Sequence, residues 1–504
     1  MRRPPLRLGV VAGLLALGLA VGQGLPSGPP APAALERTPV EGGSAVCPDL
    51  RQADGQATRV AVGLAPGDDH DVGDTGDRTD DGATTVERQV VGAGDPAVLP
   101  LTTAGQAAPD LGATVDDAAY AVSARGPAAA GLTAVATTEA GTGPERGLAS
   151  APCLPARTET WLLGPGAGVG DTSVLVLANP DPVEAAVDVT VLSAEGAPDA
   201  RQGRGLRVPA GGRTLVPLDE LAPDRTALAV RVSATRGRVA AVLRHSRVSG
   251  ALPRGLDLAA ASTGPSTELV VPGLPAGPGG RVVLLANPAD VDVVVAVELT
   301  TGDGQFVPDG LGALVVPARS TVVADVSEAL AATPAAVRVT STGGPVLAAG
   351  IAEDAGPGES GEVRDFAYVA AVPALSGPAL LPDLPVDGAT STTLLLSAVS
   401  GDAVVDVELL AVVDGQDPAA TPRRVEVPGG RTVAVALTGL VAAEFRGRVA
   451  AVVTPDPVGA PVHASLVRSA RPATGPLLTV VALLGSRPDG VRPRVVRDPA
   501  VGAG

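Results

Sequence analysis

The chain has 504 residues, 45% of them hydrophobic, with 64 Gly and 49 Pro spread along its length; this excludes a largely disordered chain and suits about three or four packed domains built from short strands and turns. The formal charge of −17 repels phosphate backbones and argues against nucleic acid as a partner. All 37 basic residues are arginine, so lysine-based catalysis is excluded.

Arg2, Arg3 and Arg7 precede an apolar run from Leu8 to Val21. That run is short for a membrane span and suits a signal segment, so residues 1–23 are read as a signal peptide or signal anchor. Residues 24–45 are rich in Pro, Gly and Ala, lack periodicity and read as a tether. Beyond them the chain repeats at a period of about 108 residues. Asn179-Pro180 recurs as Asn287-Pro288, and about 29 residues after each comes Val208-Pro209-Ala210-Gly211-Gly212-Arg213-Thr214 or Val316-Pro317-Ala318-Arg319-Ser320-Thr321. Val427-Pro428-Gly429-Gly430-Arg431-Thr432 is a third copy of the latter. The repeat predicts a degenerate β module over 46–157 with an acidic loop at 66–82, then β modules over 158–263, 264–375 and 376–485, and a flexible tail over 486–504.

The third module shows the pattern best. Short apolar or alternating runs at Leu269–Val271, Arg281–Ala286, Val291–Thr300, Ala313–Val316, Ser320–Asp325, Ala336–Thr340, Val346–Ile351 and Phe366–Val372 predict strands. Ser327–Ala332 is predicted as one helical turn with Ser327 as its cap. The fold class expected is all-β, with tandem immunoglobulin-like antiparallel β-sandwich modules, about four, after the N-terminal segment. Asn-Pro is read as a strand stop, and the Gly-Gly-Arg-Thr turns as hairpin loops.

Two cysteines, Cys47 and Cys153, fall in the exported part and are expected to form a disulfide. The repeat supports the pairing, since it puts Cys47 at the end of a first strand and Cys153 near the last strand of the same module. The three histidines, His70 in the acidic loop, His245 at a strand end and His463 in a strand, read as structural. The loop aspartates Asp68, Asp69, Asp71, Asp74, Asp77, Asp80 and Asp81 offer hard oxygens for calcium, but Arg88 stands where an EF-hand has its bidentate Glu, and a solvated insertion is the preferred reading. Trp161, Tyr120, Tyr368 and Phe366 read as core, and so few aromatics weaken any carbohydrate-binding role. No catalytic, cofactor-binding or metal-ligating residue is assigned, and no cofactor is expected.

The signal segment, Cys47-Pro48, Cys153, Trp161-Leu162-Leu163-Gly164 and the strand ends Leu177–Pro180 and Leu285–Pro288 together resemble a family of uncharacterised exported actinobacterial proteins that carry a domain of unknown function. The resemblance implies an envelope-associated protein and carries over no catalytic residue. In the last module Ser397-Ala398-Val399 stands where Asn-Pro is expected. The expected function is a non-enzymatic extracytoplasmic scaffold, spacer or interaction protein with an envelope protein partner, secreted or bound to the membrane only through the N-terminal segment. The alternatives are a carbohydrate-handling or other envelope enzyme with a site between modules, and a calcium-dependent adhesin. Acidic and His side chains clustered in one deep cleft would favour the enzyme.

Overall fold

The computed structural model describes residues 36–47, 57–66, 84–91, 93–109, 119–355, 363–486 and 489–492. The signal segment, His70 and nearly all of the acidic loop lie outside the described residues. Among the described residues no helix is long and apolar enough to cross a membrane.

Strand β1 (Glu36–Pro39) pairs with the last strand, Asp489–Arg492, in a two-stranded sheet, so strands occupy parts of the segments read as tether and tail. The first module holds β2 (Gly42–Cys47), β3 (Ala57–Leu64), β4 (Thr85–Val90), β5 (Ala93–Leu99), β6 (Ala107–Ala108), β7 (Tyr120–Arg125), β8 (Leu132–Ala140) and β9 (Gly147–Pro152). The second holds β10 (Glu159–Leu163), β11 (Asp171–Asn179), β12 (Ala185–Leu192), β13 (Leu206–Val208), β14 (Gly212–Pro217), β15 (Ala229–Arg236), β16 (Ala240–Ser249) and β17 (Leu252–Ala259). The third holds β18 (Glu268–Leu274), β19 (Arg281–Asn287), β20 (Val293–Thr301), β21 (Gln305–Phe306), β22 (Leu314–Val316), β23 (Ser320–Asp325), β24 (Ala335–Thr342), β25 (Leu347–Ala355) and β26 (Arg364–Ala370). The fourth holds β27 (Ala379–Val386), β28 (Thr390–Ala398), β29 (Ala403–Ala411), β30 (Arg423–Val427), β31 (Arg431–Ala436), β32 (Gly447–Pro455), β33 (His463–Ala470) and β34 (Leu477–Ala482).

Every module is a sandwich of two antiparallel sheets with one topology. In the second these are β10-β15-β12-β13 and β14-β11-β16-β17, and the other three repeat that order. The period-2 pattern builds each core. On β20, Val293, Val295, Val297 and Leu299 are buried while Val294 faces out. The axial strands β9, β17, β26 and β34 instead carry runs of residues buried on both faces.

The modules do not form an open string; they close on themselves. The first module's β2 and β7 side packs on the second through Val46 and Ala119 against Ala178 and Ala240. Trp161, Leu163 and Ala229 of the second pack on Leu284, Ala286 and Leu347 of the third. Val270 and Ala336 of the third meet Val399 of the fourth. Leu380, Ala450 and Val452 of the fourth return to Ala65 and Ala107 of the first. Thus one sheet of each module covers the outer face of a sheet in the next, and β9, β17, β26 and β34 touch in cyclic order around a central axis.

Three sequence readings change. The Val-Pro turns are not hairpins: β13 and β14 flank one of them yet belong to different sheets, as do β22 with β23 and β30 with β31. The turn is an inter-sheet corner, and the Asn 29 residues earlier holds it. Asn179 Nδ2 donates to the carbonyls of Val183, Val208 and Pro209, and its Oδ1 accepts from Asp181 N–H. Asn287 makes the same four contacts with Val291, Val316, Pro317 and Ala289. Such a buried amide clamp explains the linked motifs better than a strand stop does. In the fourth module Ala398 replaces the Asn, and the Asp402 carboxylate accepts from Gly429 N–H at the corner. Second, the short helix is Ser327–Leu330 with Val326 at its N-cap, and Ser327 is not the cap. The Ser327 hydroxyl is drawn instead to Asp325 and the Arg281 carbonyl, while Asp325 accepts from Ser327 N–H. Third, His245 lies inside β16 rather than at a strand end.

We expect Asn287→Ala to lower stability by about 2–4 kcal/mol, because it strands buried carbonyls. Urea unfolding of the full chain measures this, and a loss under about 0.5 kcal/mol would refute the clamp.

Candidate functional site: the ring axis and the clefts between modules

Gly147, Gly255, Asp365 and Leu477 occupy corresponding register positions on the four axial strands. Only one of them carries a carboxylate. Asp365 Oδ2 accepts from Leu148 N–H at 3.2 Å and Leu478 N–H at 2.9 Å, and Oδ1 accepts from Leu256 N–H at 3.2 Å and Phe366 N–H at 3.0 Å. One side chain therefore takes a main-chain donor from every module. The glycines make room for it: a Cβ on Gly255 would sit 2.5 Å from Asp365 Oδ1, and one on Gly147 would sit 2.6 Å from Leu256.

Two residues further along the axis, Asp257 accepts from Tyr368 N–H at 2.6 Å and lies 3.5 Å from the Thr479 hydroxyl. Both carboxyls are fully enclosed. Burial pushes Asp365 up to about 8, while its four N–H donors pull the other way. Burial also raises Asp257 well above the usual carboxylate range, with the charge of Asp365 adding to the effect.

A raised carboxyl is neutral in the fold and ionised in the unfolded chain. Its stability contribution is complete below about pH 4 and is lost as pH rises through the folded value. His245 and His463 act with the opposite sign. Burial lowers both, His463 to about 4, so between about pH 4 and 6.5 the unfolded imidazoles take up protons that the folded ones refuse. Above about pH 6.5 the carboxyls act alone. The expected result is a melting temperature that falls between about pH 6.5 and pH 8. Thermal scans across that range test it, and a rising profile would contradict it.

The second and third modules meet around His245, which is fully buried. Its Nε2 lies 2.9 Å from Asp171 Oδ1 and its Nδ1 2.5 Å from the Tyr368 hydroxyl. The carboxylate can only accept, so Nε2–H donates to Asp171 and the Tyr368 O–H donates to Nδ1. Burial lowers His245 and raises Tyr368, which keeps both rings neutral. Arg247 donates to Asp171 at 3.2 Å and to Glu353 at 2.9 Å, stacks over Phe366 at 5.0 Å, and Arg364 donates to Glu353 at 3.2 Å. These groups border a shallow cleft of about 480 Å³. The carboxylates that reach the cleft are paired with arginine, and the imidazole and phenol lie behind them. Chemically this is a proton-ordered chain that ties two modules together.

Cys47 on β2 and Cys153, just after β9, form a disulfide with a Cα–Cα distance of 4.5 Å. It joins the two sheets of the first module at the axial strand. Trp161 is buried between the second and third modules, with its Nε1–H donating to Glu159. Tyr120 lies in the first module's core, whereas Phe366 and Tyr368 sit on axial strand β26. His463 opens β33, where Nδ1 is 3.2 Å from the Val372 carbonyl. Among the described residues no group of three or more His, Cys, Asp or Glu is placed to hold a metal ion. Asp171, Asp257 and Asp365 went unnoticed in the sequence reading. Asp365 had one available signal, a carboxylate directly before the apolar run Phe366-Ala367-Tyr368-Val369, at a position that is Gly in two other modules.

No curated protein matches the chain. The ring, its axial carboxylates and its Asn clamps span the region that matches a family of unknown function, DUF5719, over residues 104–408; with more than half of its length covered, the chain belongs to that family.

Proposed function

We propose that the protein is a non-enzymatic extracytoplasmic scaffold or interaction protein of the cell envelope, secreted or anchored by its N-terminal segment, and that it engages an envelope protein partner. The observation that carries this reading is the closure of four modules into one ring. Closure makes a stiff platform, and the buried ionisable groups described above are spent on holding modules to one another. The Cys47–Cys153 disulfide suits an oxidising compartment. The acidic composition suits a solvated, non-nucleic-acid surface.

The test is protease treatment of intact cells combined with photo-crosslinking from the exposed tips Val169 and Val458. The reading predicts digestion from outside and a discrete adduct from one tip. A protected protein with reduced cysteines would overturn it.

The Asp171–His245–Tyr368 chain favours a second reading, an envelope enzyme using the cleft between the second and third modules. That reading predicts hydrolysis of an envelope glycan by the purified protein, lost in His245→Gln. An inactive native protein removes it.

A further inference from the structure

Where the ring closes, a second cleft of about 620 Å³ lies between the fourth and first modules. Four arginines line it: Arg59, Arg448, Arg468 and Arg471. Arg448 is held by Asp383, and Arg471 donates to both oxygens of Asp354. Arg468 differs. It lies on β33, is only 7% exposed, and makes no hydrogen bond or ion pair with any described residue. Its Nε is sealed from solvent without an acceptor, and so is the hydroxyl of Thr392, its cross-strand neighbour. Arg59 stands exposed on β3 and likewise makes no hydrogen bond or ion pair among the described residues.

The internal repeat shows what is missing. Arg468 pairs with Thr392 and Thr479, as His245 pairs with Ser173 and Asp257, so the two occupy the same register position in different modules. Around His245 that position is satisfied by the Asp171 carboxylate and by Tyr368 of the next module. Around Arg468 the counterpart of Asp171 is Thr390, and the axial strand of the next module offers Ser150. The carboxylate has been removed and a permanent cation stands in place of its neutral partner. The cleft's own acids attract Arg468 but none of them bonds it. Asp383 serves Arg448, Asp387 accepts from the main-chain N–H groups of Ala389 and Thr390, and Glu139 is exposed at the rim. A guanidinium does not lose its proton in a protein; Asp383, Asp387 and Glu139 attract Arg468 only from beyond bonding distance, so its sealed Nε is left without an acceptor.

We propose that this cleft binds the oxyanion group, carboxylate or phosphate, of a small ligand, with Arg468 as the buried anchor in the role that pairs with Asp171 elsewhere in the ring, and Arg59 at the mouth. The guanidinium fork matches either group through paired N–H donation. The inference stands apart from the scaffold reading and does not rest on it.

Thermal denaturation of the full chain in inorganic phosphate and in succinate, each against sodium chloride at equal ionic strength, tests it. The expected result is a saturable rise in melting temperature with at least one of the two, and the ion that acts identifies the chemistry. Arg468→Met keeps the length of the side chain and should abolish the rise. Arg59→Gln should move half-saturation upward about threefold or more. No rise above chloride with either ion would overturn the proposal, as would an equal rise in Arg468→Met. Should that variant fail to fold, an unchanged half-saturation in Arg59→Gln would overturn it.

Discussion

Asp365→Asn is expected to destabilise the whole ring by about 2–6 kcal/mol above about pH 8, where the carboxyl is ionised and accepts at both oxygens. The Asn carbonyl can replace one carboxylate oxygen, but its NH₂ would face two of the main-chain donors that the other oxygen now accepts. Each stranded buried N–H costs about 1–3 kcal/mol. The substitution preserves shape and volume, so the loss reports hydrogen bonding rather than packing. Because Leu148, Leu256, Phe366 and Leu478 share this acceptor, their amides should lose hydrogen-exchange protection together, although they belong to four different modules. A loss confined to the third module, or a change under about 1 kcal/mol, would show that the axis holds without the carboxylate.

Removing the disulfide is the second large effect. Cys47 and Cys153 are separated by 106 residues, and a loop of that size is worth roughly 4–5 kcal/mol in the chain-entropy model. Cys153→Ser, or unfolding in reductant, should therefore lower the guanidinium midpoint of the native protein. The first module should open before the others, since the bond ties β2 to the end of β9 and is the chain's one disulfide crosslink. Equal midpoints with and without reductant would refute this. Comparing Cys47→Ser with Cys153→Ser separates loss of the bond, which both share, from loss of side-chain packing, which differs between the two sites.

The two predictions mark different degrees of legibility. The cysteine pair was readable because its signal is composition and repeat phase, both of which lie along the chain. The Asn179 and Asn287 landmarks were readable as positions but not as clamps. The contact that makes each one useful is with carbonyls 29 and 30 residues later, across a corner between sheets. Asp257 and the His245 chain were not readable at all, and Asp365 showed only as a carboxylate where two other modules have Gly. Their partners lie about 74 to 222 residues away, and nothing in the local pattern of β26 or β17 points to them.

The sequence by itself determined the all-β class, the period of about 108 residues, the repeated sandwich and the disulfide. Alternation and turn chemistry act within a few residues, and a repeat copies them. Only the tertiary structure decided that the modules close into a ring rather than run as an open string. Closure depends on the outer faces of sheets, where Val46, Leu163, Val270 and Leu380 look like any other strand residue until a neighbouring module covers them. The same closure gives one Asp three amide donors from other modules and leaves the Nε of one Arg without an acceptor.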